Sequence, residues 1–259
     1  MEDLIIVRRD GDIATVVFNR PDKRNALNQD CLRRFTDAME ELSADTSLRC
    51  VVLRGAGDKA FVSGADISGF ESERSTPELA RTHSDTTHKA LAALQDSLHP
   101  TVAMIHGWCM GGGLELALAC DIRIAGRSGR FGVPVKRMGL YLSYPLIDSL
   151  LSTLGRPTTL ELLLEGAVFD AEEALEKGVI THLVEDAELE QETYAAAQRI
   201  ADGAPLSARH HRRAVRRMAD QTPLSEEEIT ASYGYADTDD YHAAYRAFMA
   251  KDKARFKGS

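Results

Sequence analysis

The chain is poor in the residues that mark several classes of protein. Its 259 residues hold four cysteines (Cys31, Cys50, Cys109 and Cys120), scattered without a C-x-x-C pair. Neither a disulfide framework nor a zinc site is therefore expected, and a reducing cytoplasm is the expected compartment. Basic charge is in deficit, with 31 Lys and Arg against 40 Asp and Glu for a net charge of −9. That balance argues against a general nucleic-acid binder. Charges interrupt every apolar run well before about 18 residues, so no membrane span is expected. The start, Met1-Glu2-Asp3, is acidic and runs into a strand-like segment, unlike a secretory signal. What remains is ordinary globular composition, 44% hydrophobic and 27% charged. The length allows one large domain, or one domain with a small appendage.

Patterning along the chain alternates between strand and helix. Leu4–Arg9 and Ile13–Phe18 are β-rich runs flanking Asp10-Gly11-Asp12, which predicts a hairpin. Asn28 can cap a helix on which Leu32, Phe35, Met39 and Leu42 recur every three or four residues. Cys50–Leu53 reads as a strand, Pro77–Leu98 as a polar helix and Thr101–Ile105 as a strand. A glycine-rich turn, a buried helix and a strand over Asp121–Ala125 follow, which implies an α/β layered fold. Beyond residue 145 the signal is mostly helical, with a short strand at Val179–Val184 and a last amphipathic helix over Asp237–Phe256. No linker interrupts the chain. We expect a core over residues 1–195 and a helical C-terminal region over 196–259.

The segment Gly107-Trp108-Cys109-Met110-Gly111-Gly112-Gly113-Leu114-Glu115 carries the most chemistry. Three adjacent glycines cost backbone entropy, which is consistent with a close approach to the main chain. A helix starting there offers free N–H groups and a positive dipole end to an oxyanion. Glu115 falls in or near its first turn, where the dipole favours the ionised form and the apolar neighbours disfavour it. Taken alone, the segment equally fits a tight strand-to-helix turn whose Glu satisfies backbone donors. It matches neither G-x-G-x-x-G nor a P-loop, and the chain has no G-x-S-x-G elbow.

Four blocks change that balance. Asn19–Asn28, Lys59-Ala60-Phe61-Val62-Ser63-Gly64-Ala65-Asp66-Ile67, Gly111–Ala117 and Cys120-Asp121-Ile122-Arg123 resemble, in order and spacing, the enoyl-CoA hydratase/isomerase (crotonase) superfamily. The resemblance covers nearly the whole chain. It implies a crotonase-like spiral of ββα units followed by a C-terminal helical trimerisation region, assembled as a homotrimer or homohexamer. It also implies stabilisation of a thioester enolate of an acyl-CoA, with coenzyme A entering as part of the substrate and no separate cofactor or metal. By motif position, the main-chain N–H groups of Ala65 and Gly112 would form an oxyanion hole, with Glu115 as acid/base. Lys23, Asn25, Ala26 and Leu27, together with Asp66 and Ile67, would hold the adenosine and pantetheine parts. Trp108, Gly111, Val135 and Tyr141 complete the expected substrate contacts.

The chain also departs from the resembled pattern. Hydratases of that family use a second glutamate after the F-G-x-P strand end, and Val135 stands there, in Phe131-Gly132-Val133-Pro134-Val135. No Asp or Glu occurs from Ile122 to Ile147. Three readings follow: a hydratase/isomerase-type enzyme with one main acid/base, an acyl-CoA-binding protein with little turnover, or hydrolysis or decarboxylation in which Tyr141, Ser143 or Tyr144 takes part. The histidines His83, His88, His99 and His106 read as structural, and the basic run Arg209–Arg217 as a solvated helix face.

Overall fold

The structure, a computed structural model, describes residues 3–259, so the Met1-Glu2 start lies outside the described residues. Strands β1 (Ile5–Asp10) and β2 (Ile13–Phe18) form the expected hairpin. The Asn28 side chain accepts the Cys31 N–H and so caps helix α1 (Gln29–Ala44). The periodic Leu32, Phe35, Met39 and Leu42 are all buried on one face of α1. Phe35 stacks on Phe18 with ring centroids 5.2 Å apart, fixing α1 to the sheet.

Three β–β–helix turns follow. The first comprises β3 (Cys50–Gly55), β4 (Ala60–Val62), α2 (Phe70–Arg74) and α3 (Pro77–Gln95). The second is β5 (Thr101–Ile105), β6 (Trp108–Met110) and α4 (Gly112–Ala119). The third is β7 (Ile122–Gly126), β8 (Arg130–Gly132) and α5 (Tyr144–Leu160), which breaks at Gly155. The first strand of each pair enters one sheet and the second strand enters another. Strand β9 (Val168–Phe169), helix α6 (Ala171–Glu176) and strand β10 (His182–Val184) then complete the two sheets. Their orders are β1-β2-β3-β5-β7-β10 and β4-β6-β8-β9. Pairing is parallel except for β1 with β2 and β8 with β9. This is the α/β spiral expected from the resemblance.

Helices α7 (Leu189–Ala201), α8 (Pro205–Ala219), α9 (Glu226–Ala231) and α10 (Asp239–Ala250) end the chain. Helix α7 runs through residue 195 and lies on the large sheet, where Ala196, Ala197 and Ala201 meet Cys50, Val52, Val102 and Met104. Its small side chains let the helix sit close to the strands. Among the described residues, no helix is long and apolar enough to cross a membrane.

Two expectations need correction. The last helix stops at Ala250 rather than continuing to Phe256, because Lys251 turns left-handed at φ 55°. The tail then folds back, and the Asp240 carboxylate accepts N–H groups of Lys257 and Gly258 at 2.7 and 2.9 Å. The basic run on α8 is not simply solvated. Arg212 donates to the Leu94, Gln95 and Ser97 carbonyls at the C-terminal end of α3 and pairs with Asp121 at 2.7 Å.

Candidate active site

Two glycine-containing loops meet where β4 and β6 leave the small sheet. Leu27 forms a parallel bridge with Ala65: its N–H donates to the Gly64 carbonyl, and its carbonyl accepts the Asp66 N–H. In that pairing the N–H of Ala65 itself points away from Leu27. Arg20 ties the same two segments together, donating to the Ala26 carbonyl and to Asp66 at 2.7 Å. Gly111, at φ 50°, turns β6 into α4, and its N–H is held by the Gly132 carbonyl at 2.8 Å. Helix α4 therefore starts at Gly112, whose N–H has no intrahelical partner. Among the described residues, neither the Ala65 nor the Gly112 N–H donates to a protein acceptor.

Both residues line a cavity of about 840 Å³, and Glu115 joins them from the first turn of α4. Glu115 is 2% exposed, and neither carboxylate oxygen has a hydrogen-bond partner among the described residues. Burial pushes its carboxyl up to about 8. Of the two influences expected on this group, desolvation is the one that sets the direction. An unpartnered buried carboxyl is costly, and one at a cavity wall can give or take a proton near neutral pH. The other carboxylate lining the cavity, Asp66, is already engaged. It accepts from the Ser68 hydroxyl at 2.6 Å and pairs with Arg20, which together hold it down at about 2.

The remaining expected contacts divide between the cavity and its surroundings. Lys23, Ala26, Leu27, Ile67 and Gly111 line the cavity, as do Val135 and Tyr141. Val135 opens the 3₁₀ turn Val135–Met138, so an apolar side chain occupies the wall where a second carboxylate was sought. Tyr141 is 97% exposed at the rim. Asn25 is buried outside the cavity; it donates to the Ala56 and Ala60 carbonyls and accepts the Arg20 N–H, bracing the Lys23–Leu27 loop. Trp108 lies on β6, partly exposed, and is not in the cavity wall. Ser143 lines the cavity and is hydrogen-bonded to His88 at 2.7 Å.

Sequence reasoning missed the wall made by α2 and α3. Arg74 and His83 both line the cavity, although His83 read as structural. A signal was present in the Ser75-Thr76-Pro77 break, where the Thr76 hydroxyl caps α3. Such a break between two helices lets α2 fold back on α3 and brings residues nine apart together.

The ββα spiral and its cavity can be set beside known proteins, which show the class of protein this is. Residues 8–259 match the family described as enoyl-CoA hydratase/isomerase, and the chain belongs to that family. A short-chain-enoyl-CoA hydratase of Clostridium acetobutylicum is 32% identical over 251 residues, covering 96% of this chain and 95% of that protein. A 2,3-dehydroadipyl-CoA hydratase of Escherichia coli is 30% identical, covering 98% of each chain. Among solved structures, an enoyl-CoA hydratase/carnithine racemase from Magnetospirillum magneticum superposes with a TM-score of 0.98 at 43% identity. That match covers 100% of this chain and 97% of the other. An enzyme of the hydratase/isomerase family acting on an acyl-CoA thioester is therefore the coarse assignment.

Proposed function

We propose that this chain forms and discharges the enolate of an enoyl-CoA thioester, with Glu115 as its one acid/base and the Ala65 and Gly112 amides as the oxyanion hole. The observation that carries this reading is the buried, unpartnered Glu115 in a cavity shared with two free main-chain N–H groups. The thioester oxygen gains negative charge when a proton leaves Cα. Each preorganised N–H aimed at that oxygen contributes about 2.7–4 kcal/mol in the transition state. Main-chain donors explain why unreactive Ala and Gly stand at a reactive centre.

The single carboxylate favours migration of a double bond over addition of water. In migration, Glu115 takes a proton from Cα of a 3-enoyl thioester and the enolate forms. The same carboxyl then returns a proton at Cγ, giving the 2-enoyl isomer. Hydration needs water activated at Cβ as well as a proton for Cα, and Val135 can neither accept a proton nor orient water. The Lys23–Leu27 loop and the Ala65–Ile67 segment hold the adenosine and pantetheine parts in this reading. Exposed Val215 and Met218 on α8 and Tyr245 and Phe248 on α10 support burial against further copies of this chain, which this reading takes to be trimers or hexamers.

Glu115→Gln tests the proposal. Turnover of a 3-enoyl-CoA is expected to vanish while affinity for a saturated acyl-CoA stays within a few-fold. Unchanged turnover removes Glu115 from the mechanism. A second reading, acyl-CoA binding without catalysis, is favoured by Val135. It is upheld if the wild-type protein binds acyl-CoA tightly yet neither isomerises nor hydrates a panel of enoyl-CoAs.

A further inference from the structure

Arg74 is a cation in the cavity wall that the chemistry above leaves unused. It closes α2, with its guanidinium 4.3 Å from the centroid of the Phe70 ring. Its Nη2 donates to His83 Nε2 at 2.5 Å. A guanidinium only donates, so the His83 proton sits on Nδ1, which donates to Glu73 Oε2 at 3.0 Å. Burial and the Arg74 charge both hold the imidazole below its ordinary range, which keeps Nε2 free to accept. Glu73, His83 and Phe70 thus fix the guanidinium in one place.

The fixed group is under-used. Arg74 Nε is buried and has no hydrogen-bond partner among the described residues. No carboxylate among the described residues pairs directly with the Arg74 side chain. Arg209, away from the cavity, also leaves a buried Nε unpartnered, but its Nη2 donates to the Thr46 and Leu48 carbonyls, whereas Arg74 donates to no carbonyl and no carboxylate among the described residues. Two further structural arginines are satisfied more fully. Arg123 spends its donors on the Val179 and Cys120 carbonyls at 2.8 and 2.9 Å, and Arg212 caps α3 in the same manner. An orphaned buried N–H costs about 1–3 kcal/mol unless something accepts from it.

We propose that Arg74 is an anion-recognition residue of the cavity, held by Phe70 and His83 to take an anionic oxygen group of the substrate. The proposal rests on reading the cavity as an acyl-CoA site. The planar fork suits paired oxygens of a carboxylate or phosphate. An acyl-CoA has two sources of such oxygens: a carboxylate ending the acyl group, and the phosphates of the carrier.

The test measures binding by titration calorimetry, which does not depend on turnover. The ligands are a saturated acyl thioester ending in carboxylate and its methyl-ended counterpart, each made on coenzyme A and on phosphate-free pantetheine. Arg74→Met is expected to weaken the anion-bearing ligands about tenfold or more. Arg74→Lys, which keeps the charge but loses the fork, falls between and serves alone if the methionine variant does not fold. Loss confined to the carboxylate-ended ligands on both carriers supports the proposal and assigns the acyl group. Loss confined to the two coenzyme A esters supports it and assigns the phosphates. Affinities within twofold of wild type for all four ligands overturn it. Equal loss on all four, the neutral phosphate-free thioester included, also overturns it, because Arg74 then only supports the wall. If the wild-type chain binds none of the four, the acyl-CoA reading falls and this proposal falls with it.

Discussion

The carbonyl oxygen of Val62 lies 2.2 Å from where a Cβ on Gly113 would stand. Val62 ends β4, three residues before Ala65, and Gly113 follows Gly112 in the first turn of α4. The spacing of the two free amides is thus set by a contact that admits only hydrogen. Gly113→Ala must part strand from helix. We expect it to cost about 1–3 kcal/mol of stability and, because a donor displaced from the oxyanion loses most of its effect, to lower kcat by about tenfold or more. Thermal unfolding and steady-state kinetics check both. An alanine variant with wild-type kcat would show that this contact does not set the catalytic geometry.

The raised carboxyl of Glu115 fixes two pH dependences. In its proposed role as base Glu115 would act ionised, so base-limited turnover is expected to rise with pH up to about 8 and to level off above it. Stability runs the other way. The folded-state value of about 8 exceeds the ordinary 4.5, so the folded chain holds its proton more tightly than the unfolded chain. The contribution of the protonated group is fully present below about 4.5 and is lost as pH rises through about 8. Glu115→Gln lacks this loss. Its urea midpoint should overtake that of the wild type progressively across that interval. Parallel midpoints for the two proteins at every pH would contradict the assigned shift.

Arg212 illustrates how a charged helix face can be structural. On sequence alone, the run Arg209–Arg217 has the look of a solvated surface, because periodicity does not reveal where a long side chain ends. In the fold Arg212 satisfies orphan carbonyls at the end of α3 and pairs with Asp121, which itself accepts the Thr101 N–H at 2.7 Å. Arg212→Leu leaves those carbonyls and that carboxylate less satisfied. We expect a loss of about 2–4 kcal/mol with kcat unchanged, since none of these residues lines the cavity. A variant with wild-type thermal stability would refute the capping role.

How much was readable follows from the length scale of each feature. Helix α1 declared itself through Leu32, Phe35, Met39 and Leu42, because sixteen residues give four turns of apolar period. Strands β4, β6 and β8 have three residues each, too few for a period of two to show; β6 lay inside the glycine-rich turn, and β8 showed only as the F-G-x-P strand end of the resembled pattern. The three ββα turns share a path and not a residue pattern, so the internal repetition of the spiral was invisible in the sequence. Glu115, Ala65 and Gly112, which the fold brings to one cavity, stood out in the sequence through local motifs. The Glu73–His83–Arg74 cluster was not, because it forms across a helix break.

Val135 offers the most direct way to ask what one carboxylate can do. It lines the same cavity as Glu115 and begins a 3₁₀ turn on the wall formed by residues 134–143. Val135→Glu places a second acid/base group in that wall. A group able to activate water is worth about 10²–10⁴-fold when correctly placed. The variant is therefore expected to gain 3-hydroxyacyl product from a 2-enoyl-CoA. Double-bond migration should change less, because in the proposed mechanism it uses only Glu115. Mutual repulsion between the two carboxylates should raise their proton affinity further and move the rise in turnover to higher pH. Chromatographic separation of hydrated and isomerised products measures the ratio. If the variant still binds saturated acyl-CoA but hydrates no faster than the wild type, then the missing carboxylate is not what limits water addition.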